Sequence, residues 1–436
     1  MKISVIGTGY VGLIQAAGLA KLGFKVNCID SFEEKINKLK QGISPIYEDG
    51  LEELLHEVKD NLNYTTDIST AKNNDIIFLC VGTPQDHEGK TDLSQIKNVA
   101  NKLKSVLSGA EIIITKSTVP VGTNNMLDQL LDGKNTVISN PEFLREGKAL
   151  HDFFNAERIV LGFSKDSIKT LDKIEEVYAY FIKKDIHIII TDRATAELIK
   201  YASNSFLATK ISFINEIAQF SDSAGANIHD IITGMGLDSR IGKQFLNAGI
   251  GYGGSCFPKD VKSLIHQLKD NSLEARIIST VDAVNKHQIH YFLDKIEKTI
   301  GTLKGKRVGL IGLAFKPDTD DIRESKGVEL CKLLIEKGAI VHCFDYNAKA
   351  RNNFENYLNA VGSSRFETPI YVHNKINDLF SDIGILIITI EDVKLQQEDR
   401  KNIFNKMSSK YIFDGRNILN KKYLENIGFH YYGIGQ

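Results

Sequence analysis

Residues 5–30 read VIGTGYVGLIQAAGLAKLGFKVNCID and decide the fold of the first part of the chain. Gly7, Gly9 and Gly12 follow a short apolar strand, and Asp30 ends the next strand. In such a unit the first glycine makes a tight turn, the second lets the backbone approach a pyrophosphate, and the third allows close packing of helix on strand. Asp30 would bind the adenosine ribose and repel a 2′-phosphate, so we expect NAD rather than NADP. A turn with only a structural role is the alternative.

Short apolar runs rich in β-branched residues alternate with helical stretches through the first third of the chain. These runs are Lys2–Ile6, Lys25–Ile29, Asp75–Val81, Ile112–Lys116 and Thr136–Ser139. This alternation predicts a parallel sheet with crossover helices. From Asp192 to Ala224 apolar residues recur at helical spacing without proline, and Gly225 follows. One helix of about 48 Å is therefore expected, long enough to be shared by two domains.

A second α/β unit is predicted from Lys306 onward, because three segments match the first unit in the same order. The pairs are VIGTGYVG (5–12) with LIGLAFKP (310–317), VNCID (26–30) with VHCFD (341–345), and DIIFLCVGT (75–83) with DIGILIITI (382–390). Ala314 and Pro317 stand at the second and third glycine positions, so no second pyrophosphate cradle is expected. Lys316 and Arg323 could instead meet phosphate oxygens, or lie in a solvated loop.

The predicted fold is therefore α/β, with two Rossmann-like parallel-sheet domains joined by a long helix and a helical middle domain. The expected limits are 1–195 for the NAD-binding domain, 196–300 for the middle domain and 301–436 for the C-terminal domain. A length of 436 residues fits about three domains.

Composition excludes several classes of function. Lys and Arg number 54 against 55 Asp and Glu, which leaves no excess positive charge for nucleic acid. No run of about 18 uncharged apolar residues predicts a membrane span. The five scattered cysteines predict neither a disulfide framework nor a metal site and favour a reducing compartment. We expect a soluble cytoplasmic protein.

Cys256 lies in GYGGSCFPKD (251–260), after glycines that expose the backbone, and Lys259 and Asp260 follow it in the same motif. A neighbouring ammonium group favours the thiolate, so Cys256 is a candidate nucleophile; a buried structural cysteine is the alternative. The other four cysteines lie in apolar or helical runs and are expected to fill the core: Cys28, Cys80, Cys331 and Cys343.

Lys200 and Asn204 are four residues apart on the long helix and so share one face. They could both point at a ligand. Lysines on helices are more often exposed to solvent, which is the alternative for Lys200.

The sequence as a whole resembles the family of UDP-glucose and GDP-mannose dehydrogenases. The resemblance rests on motifs in order along nearly the whole chain: GTGYVGL (7–13), FLCVGTP (78–84), KSTVPVGT (116–123), NPEFLREG (140–147), KYASN (200–204), GYGGSCFPKD (251–260), GLAFKPDTDDIRES (312–325) and FDGRN (413–417). Within the family, residues 240–260 are most similar to the members that act on UDP-glucose. The stretch Tyr47-Glu48-Asp49-Gly50 departs from many members, which have proline before the glycine. We expect it in a surface turn without effect on the chemistry.

The resemblance implies NAD-dependent oxidation of a sugar C6 alcohol to a carboxylate in two hydride transfers. Cys256 would hold the intermediate as a thiohemiacetal and then as a thioester, which water hydrolyses. Lys200 and Asn204 would stabilise the oxyanion, and Asp260 would manage a proton with an ordered water. Thr118 and Glu142 would position water or act as base.

The resemblance also implies the binding residues. For NAD they are Gly7, Gly9, Tyr10, Val11, Gly12, Asp30, Lys35, Thr83, Thr118, Glu146, Lys259 and Arg323. For the UDP-sugar, expected mainly on the C-terminal domain, they are Glu142, Phe143, Leu144, Arg145, Glu146, Lys200, Asn204, Arg240, Asn247, Gly249, Tyr252, Gly253, Phe315, Lys316 and Arg416. Arg240 would reach the substrate of a neighbouring subunit in a homodimer built around the long helix; a plain surface cation is the alternative.

Three other functions remain open from the sequence. A GDP-mannose 6-dehydrogenase would run the same chemistry on another base. A two-electron hydroxyacid dehydrogenase would have no use for Cys256 or the third domain. A nucleotide-sugar binding module without turnover would not need a base and a nucleophile together.

Overall fold

The computed structural model describes residues 1–86, 88–362, 368–381, 383–397, 404 and 406–436. The chain forms two compact units, one of residues 1–203 with 266–273 and one of residues 204–265 with 274–436. No helix in these described ranges is long and apolar enough to cross a membrane. The predicted domain limits at 195/196 and 300/301 stay a prediction.

The first unit is built around an eight-stranded sheet. Its strands are β1 Lys2–Ile6, β2 Lys25–Ile29, β3 Leu62–Thr65, β4 Ile76–Leu79, β5 Ile112–Thr115, β6 Thr136–Ser139, β7 Arg158–Phe163 and β8 His187–Asp192. Their order is β3-β2-β1-β4-β5-β6-β7-β8, and neighbours are parallel except β6 and β7. The five predicted strands are present within two residues of their expected bounds.

Both faces of the first sheet are covered, which explains its continuous apolar strands. Ile76 and Phe78 of β4 belong to one buried cluster, and Ile77 and Leu79 belong to another. The helices of this part are α1 Tyr10–Lys21, α2 Glu33–Lys40, α3 Leu51–Glu57, α4 Ser94–Val106, α5 Thr123–Leu130, α6 Ala149–Phe154, α7 Leu171–Lys183 and α8 Arg193–Ala224.

The second unit contains a six-stranded, all-parallel sheet. Its strands are β9 Arg307–Ile311, β10 Ile340–Phe344, β11 Ile370–Val372, β12 Ile385–Ile388, β13 Tyr411–Asp414 and β14 His430–Tyr432, in the order β11-β10-β9-β12-β13-β14. The first six strands of the other sheet have the equivalent order, so the predicted repeat of a Rossmann-like fold is confirmed. Asp382, the first residue of the third matched segment, lies outside the described residues.

Further helices follow α8 in the part of the chain that the structure describes. They are α9 Ile228–Gly236, α10 Phe257–Asp270, α11 Arg276–Ile300, α12 Lys326–Glu336, α13 Ala348–Val361, α14 Ile376–Leu379, α15 Val393–Gln397 and α16 Lys421–Asn426. The middle part of the chain was predicted to be helical, and α9, α10 and α11 confirm this.

The long helix α8 has 32 residues, as the periodicity predicted. Asp192 caps its first turn by accepting hydrogen bonds from the N–H of Thr195 at 2.9 Å and from its hydroxyl at 2.6 Å. Gly225, with φ of +68°, follows its last residue. Residues through Ser203 belong to the first unit, and residues from Asn204 belong to the second.

Candidate active site

The turn after β1 has the geometry that a dinucleotide requires. Gly7 has φ of +93°, and a Cβ on Gly12 would lie 1.8 Å from the Gly7 carbonyl oxygen. A Cβ on Gly9 would meet no described atom within 4 Å, so this position faces open space. Helix α1 begins at Tyr10. The residue before it is Gly9, which has no side chain that could cap the helix. Its first N–H groups are therefore suited to a phosphate anion.

Asp30 is held beside this turn by several donors. Its Oδ2 accepts hydrogen bonds from the N–H of Thr8 at 2.7 Å and from the Lys35 ammonium at 2.9 Å. Burial alone would raise the pKa of Asp30, but the bonds from Thr8, Lys35 and Phe32 outweigh it and lower the pKa. The carboxylate is therefore ionised at neutral pH, as a partner for ribose hydroxyls requires.

Thr83 and Thr118 lie in the loops that follow β4 and β5, at the carboxyl end of the first sheet. The Thr83 hydroxyl donates to the Thr118 carbonyl oxygen at 2.9 Å. Ligands of open α/β sheets bind at this edge. Val11 and Leu144 pack partly buried against the core of the first unit.

Glu142 and Lys200 form an ion pair with 3.0 Å between carboxylate and ammonium, and both side chains are buried. The other Glu142 oxygen accepts from the N–H of Leu144 at 2.6 Å. Burial alone would raise the pKa of Glu142, but Lys200 and the Leu144 N–H overcome it and lower the pKa. The Lys200 ammonium also lies 5.3 Å from the centre of the Phe143 ring. Lys200 is thus not exposed on the helix surface.

Lys116 is a half-buried cation beside this pair, to which no role was assigned from the sequence. Its ammonium donates to Asn140 Oδ1 at 3.1 Å. Burial lowers the pKa of Lys116 to about 8, and Lys200 adds to this effect, while Cys80 and Glu142 oppose it. The motif KSTVPVGT contains Lys116, but its letters alone do not reveal its burial.

The loop from Glu142 to Gly147 contacts other parts of the first unit at its far end. Arg145 is exposed and pairs with Asp152 at 2.6 Å. The Tyr10 hydroxyl accepts a hydrogen bond from the Gly147 N–H at 2.7 Å. Glu146 is half-buried.

In the second unit, Cys256 directly precedes helix α10. Its carbonyl oxygen accepts the hydrogen bond of the Asp260 N–H at 2.9 Å, which makes Cys256 the N-terminal cap residue. The positive end of a helix dipole favours a thiolate at this position. Of the five cysteines, Cys256 is half-buried, whereas the other four are buried: Cys28, Cys80, Cys331 and Cys343.

Asp260 lies in the first turn of α10 and is almost completely buried. Its Oδ2 accepts from the Asn204 amide at 2.6 Å, and its Oδ1 accepts from the Lys259 ammonium at 2.6 Å. Asp260 therefore links two other predicted catalytic residues, because its carboxylate contacts Asn204 and its N–H contacts the Cys256 carbonyl.

The glycine loop before Cys256 is held by three amide side chains that the sequence analysis missed. The Gly249 N–H donates to Asn215 Oδ1 at 2.8 Å, and Gln288 donates to the Gly249 carbonyl at 2.8 Å. Asn285 accepts from the Tyr252 N–H and donates to its carbonyl. Asn247 is exposed.

The same loop packs against the segment after β9. The Gly254 N–H donates to the Arg323 carbonyl at 3.2 Å, and a Cβ on Gly253 would lie 2.0 Å from the Glu324 carbonyl oxygen. A Cβ on Gly254 would lie 2.5 Å from the Phe315 ring. The glycines therefore allow close contact between the loop of Cys256 and the loop that carries Lys316 and Arg323.

The cationic side chains of this region differ in exposure. Lys316 lies over the Phe315 ring, and Arg323 is exposed and paired with Asp321. Arg416 is half-buried, and its Nε donates to the Thr389 carbonyl at 3.0 Å. Burial lowers the pKa of Arg416. Arg240 is 87% exposed and pairs with Asp238 at 2.6 Å.

The second sheet repeats the packing glycine of the first at a position that the sequence alignment did not predict. A Cβ on Gly327 would lie 2.0 Å from the Gly312 carbonyl oxygen, as a Cβ on Gly12 would meet Gly7. Helix α12 begins only at Lys326, so Ala314–Ser325 is an insertion between turn and helix. Asp345 accepts from the N–H groups of Leu313 and Ala314 at 2.8 and 3.0 Å, as Asp30 accepts from Thr8. This insertion separates the turn after β9 from the start of α12, whereas in the first unit α1 begins within the glycine turn.

No cluster of three or more potential metal ligands occurs in the part of the chain that the structure describes.

Known proteins provide an independent comparison. Residues 1–182, 194–287 and 309–421 match the NAD-binding, central and UDP-binding domains of the UDP-glucose/GDP-mannose dehydrogenase family.

Individual relatives match over the whole chain. The UDP-glucose 6-dehydrogenase TuaD of Bacillus subtilis is 37% identical over 444 residues, covering 100% of this chain and 93% of TuaD. The UDP-glucose 6-dehydrogenase of Rickettsia prowazekii is 38% identical and covers 100% of this chain and 99% of its own length. The solved UDP-glucose dehydrogenase of Pyrobaculum islandicum is 34% identical with a TM-score of 0.88, covering 100% of this chain and 97% of that one.

Proposed function

The chain belongs to the UDP-glucose/GDP-mannose dehydrogenase family and is an NAD-dependent dehydrogenase, and we propose that it oxidises UDP-glucose to UDP-glucuronate with two NAD consumed per product. Two relatives that it matches over 93% and 99% of their own length are named UDP-glucose 6-dehydrogenases. The observation that carries the proposal is Cys256 at the start of α10, with Asp260 bonded to Asn204 one turn later.

NAD accepts a hydride from the substrate carbon when it is bound. The residues of the first unit fit this cofactor, because the Gly7–Gly12 turn leaves open space at Gly9 and Asp30 is ionised. Asp30 would take the ribose hydroxyls, and the free N–H groups of α1 would take the pyrophosphate. The further cofactor contacts proposed are Tyr10, Val11, Lys35, Thr83, Thr118, Glu146, Lys259 and Arg323.

In the first oxidation, the C6 hydroxyl loses a proton as its carbon loses a hydride. We assign the proton to Asp260 with an ordered water, and the developing oxyanion to Lys200 and Asn204. The buried pairing of Lys200 with Glu142 supports this role, since a desolvated ammonium interacts strongly with an oxyanion.

In the second oxidation, the Cys256 thiolate adds to the aldehyde carbon and gives a thiohemiacetal. Loss of the hydroxyl proton and of a hydride from that carbon gives a thioester, and a second NAD would supply the hydride acceptor. Water, positioned by Thr118 and Glu142, attacks the thioester carbonyl, and the Cys256 thiolate leaves as the carboxylate forms. The lowered pKa of Glu142 supports its role as an ionised base.

The UDP-sugar would be bound chiefly by the C-terminal domain expected at 301–436. The match of residues 309–421 to the family's UDP-binding domain supports this assignment. The contacts proposed are Glu142, Phe143, Leu144, Arg145, Glu146, Lys200, Asn204, Asn247, Gly249, Tyr252, Gly253, Phe315, Lys316 and Arg416.

A homodimer around α8 is part of the proposal. Phe206, Phe213 and Phe220 recur every seven residues and are 65%, 49% and 69% exposed. Residues seven apart lie almost on one line along a helix. This phenylalanine stripe is an exposed apolar surface of the kind that subunit contacts cover. Arg240 would then complete the sugar site of the second subunit.

Two measurements test the function. UDP-glucose oxidation should yield two NADH per molecule consumed, whereas a hydroxyacid dehydrogenase would yield one. UDP, and not GDP, should compete with the substrate; the reverse would favour a GDP-mannose 6-dehydrogenase. A binding module without turnover would produce no NADH.

A catalytic thiol must stay reduced to act as a nucleophile. We therefore also propose that the protein works in a reducing compartment, the cytoplasm.

A further inference from the structure

Glu48 lies in the stretch expected as a surface turn, and that expectation is wrong for this residue. Asp49 and Gly50 are exposed, but the Glu48 side chain is buried. A buried carboxylate requires hydrogen-bond donors, and Glu48 has three. They come from two other segments of the first unit.

The donors to Glu48 are one hydroxyl and two backbone groups. The Gly147 N–H donates to Glu48 Oε2 at 2.8 Å, and the Leu150 N–H donates to Oε1 at 3.2 Å. The Tyr10 hydroxyl donates to Oε2 as well. Burial and the Glu48 carboxylate raise the pKa of Tyr10, which keeps this hydroxyl protonated as a donor.

The segments joined in this way are two of those that the proposed reaction uses in the first unit. Tyr10 is the first residue of α1, next to Gly9 of the cofactor turn. Gly147, with φ of +79°, ends the loop that begins at Glu142. Three hydrogen bonds converge on the buried Glu48 side chain, so this junction fixes the end of the loop.

We propose that Glu48 is a positioning residue that couples the NAD-binding turn to the Glu142–Glu146 loop through Tyr10 and Gly147. The inference rests on the proposed function, in which this loop supplies a base and a cofactor contact. Glu48 itself touches no reacting atom. A displacement of about 1 Å at a catalytic group can cost on the order of 10²-fold in rate, so the junction controls catalysis through geometry.

The test compares Glu48→Gln, Tyr10→Phe and the double variant with the wild-type enzyme. Glutamine keeps the size but loses one acceptor oxygen, and phenylalanine keeps the ring but loses the donor. We expect each single variant to raise the KM for NAD and to lower kcat/KM for UDP-glucose about tenfold. The double variant should be within about twofold of the worse single variant, because both changes break the same junction.

Glu53→Gln is the matched control, since Glu53 is an exposed glutamate in the neighbouring helix α3. It should behave as the wild type does. A simple loss of folded protein would lower the apparent kcat and leave both KM values unchanged. Single variants that match the control, or effects that multiply in the double variant, would overturn the proposal.

Two further readouts keep the proposals separate. If Glu48→Gln does not fold, Tyr10→Phe alone decides. We then expect kcat/KM for UDP-glucose to fall about tenfold, and a wild-type value would contradict the coupling. If the wild type does not oxidise UDP-glucose, the proposed function fails. Fluorescence titration with NADH would still test the coupling, because both single variants should bind NADH about tenfold more weakly.

Discussion

Glu142 pairs with Lys200 at 3.0 Å in a buried part of the first unit, and Lys116, which is half-buried, is a second ammonium near this pair. Removing one partner of a buried ion pair leaves an uncompensated charge, so neither Glu142 nor Lys200 is a neutral site for substitution. Lys116 differs, because its pKa of about 8 lets it lose its proton near physiological pH.

Lys116 should make stability rise with pH in a defined window. An unfolded lysine has a pKa of about 10.4, so between pH 8 and 10.4 the unfolded chain holds a proton that the folded chain lacks. The wild type therefore gains stability as pH rises through this window. Lys116→Met removes this gain, and the free-energy difference of unfolding between variant and wild type should shift by at most about 3 kcal/mol. Lys102→Met, at an exposed lysine, is the control. Parallel stability curves for Lys116→Met and wild type would contradict the prediction.

Asp30→Ala should weaken NAD binding about tenfold or more and make NADP less disfavoured, because the ribose acceptor and the charge that repels a 2′-phosphate are lost together. Initial rates with each cofactor at saturating UDP-glucose measure the change. Asp49→Ala, at an exposed aspartate, should leave both rates unchanged. An unaltered preference for NAD in Asp30→Ala would remove this residue from the cofactor site.

Phe213→Ser combined with Phe220→Ser should weaken the proposed dimer. Burial of the apolar phenylalanine side chains would drive association, and serine removes that apolar surface. Sedimentation measures the mass as a function of concentration. Ile168→Ser, at an exposed apolar residue of the first unit, should leave the mass unchanged. Association that is equally tight in both variants would place the subunit contact elsewhere.

Arg240→Ala should raise the KM for UDP-glucose at least about tenfold while the KM for NAD changes little, if the guanidinium completes a neighbour's sugar site. Arg276→Ala is a matched control, because Arg276 is also exposed and paired with a nearby acidic side chain, Glu274. Equal effects of Arg240→Ala on both KM values would favour a plain surface cation.

Sequence patterns predicted the parts of the fold that depend on local periodicity and chain-order repeats. The alternation of apolar strands with helices and the long unbroken helix α8 are examples. The antiparallel direction of β7 could not be predicted. Its apolar residues resemble those of the parallel strands, and the direction of a strand depends on tertiary pairing. Gly327 was missed because an insertion separates it from the turn that it packs against.

The site was predictable in its ionisable residues and glycines, which stand in recognisable motifs. The residues that hold them in place were not predictable, because the three-dimensional fold, and not the local sequence, decides whether an amide or carboxylate is buried. Asn285 and Gln288 fix the loop of Cys256 from a different helix, and Glu48 reaches Gly147 across 99 residues of sequence. No spacing rule connects residues so far apart.

The order of steps at Cys256 yields the sharpest test of the mechanism. Cys256→Ser keeps a hydrogen-bonding group but is a much poorer nucleophile, so turnover should collapse. Glu142→Gln should instead allow both hydride transfers once per site and then stall before hydrolysis. A burst of about two NADH per site should precede a steady rate lower by ~10²-fold or more. Glu157→Gln, at an exposed glutamate of the same unit, should show no burst and normal turnover.

Mass spectrometry on the stalled Glu142→Gln protein identifies the nucleophile directly. The thioester should add one UDP-glucuronyl group to the peptide that contains Cys256. The two cysteines of the first unit make poor nucleophiles, because burial raises the pKa of Cys80 to about 12 and also raises that of Cys28. An adduct on Cys80 or Cys28 would therefore overturn the assignment of Cys256. The absence of both burst and adduct would overturn Glu142 as the base of hydrolysis, because an enzyme lacking only that base must still accumulate the acylated thiol.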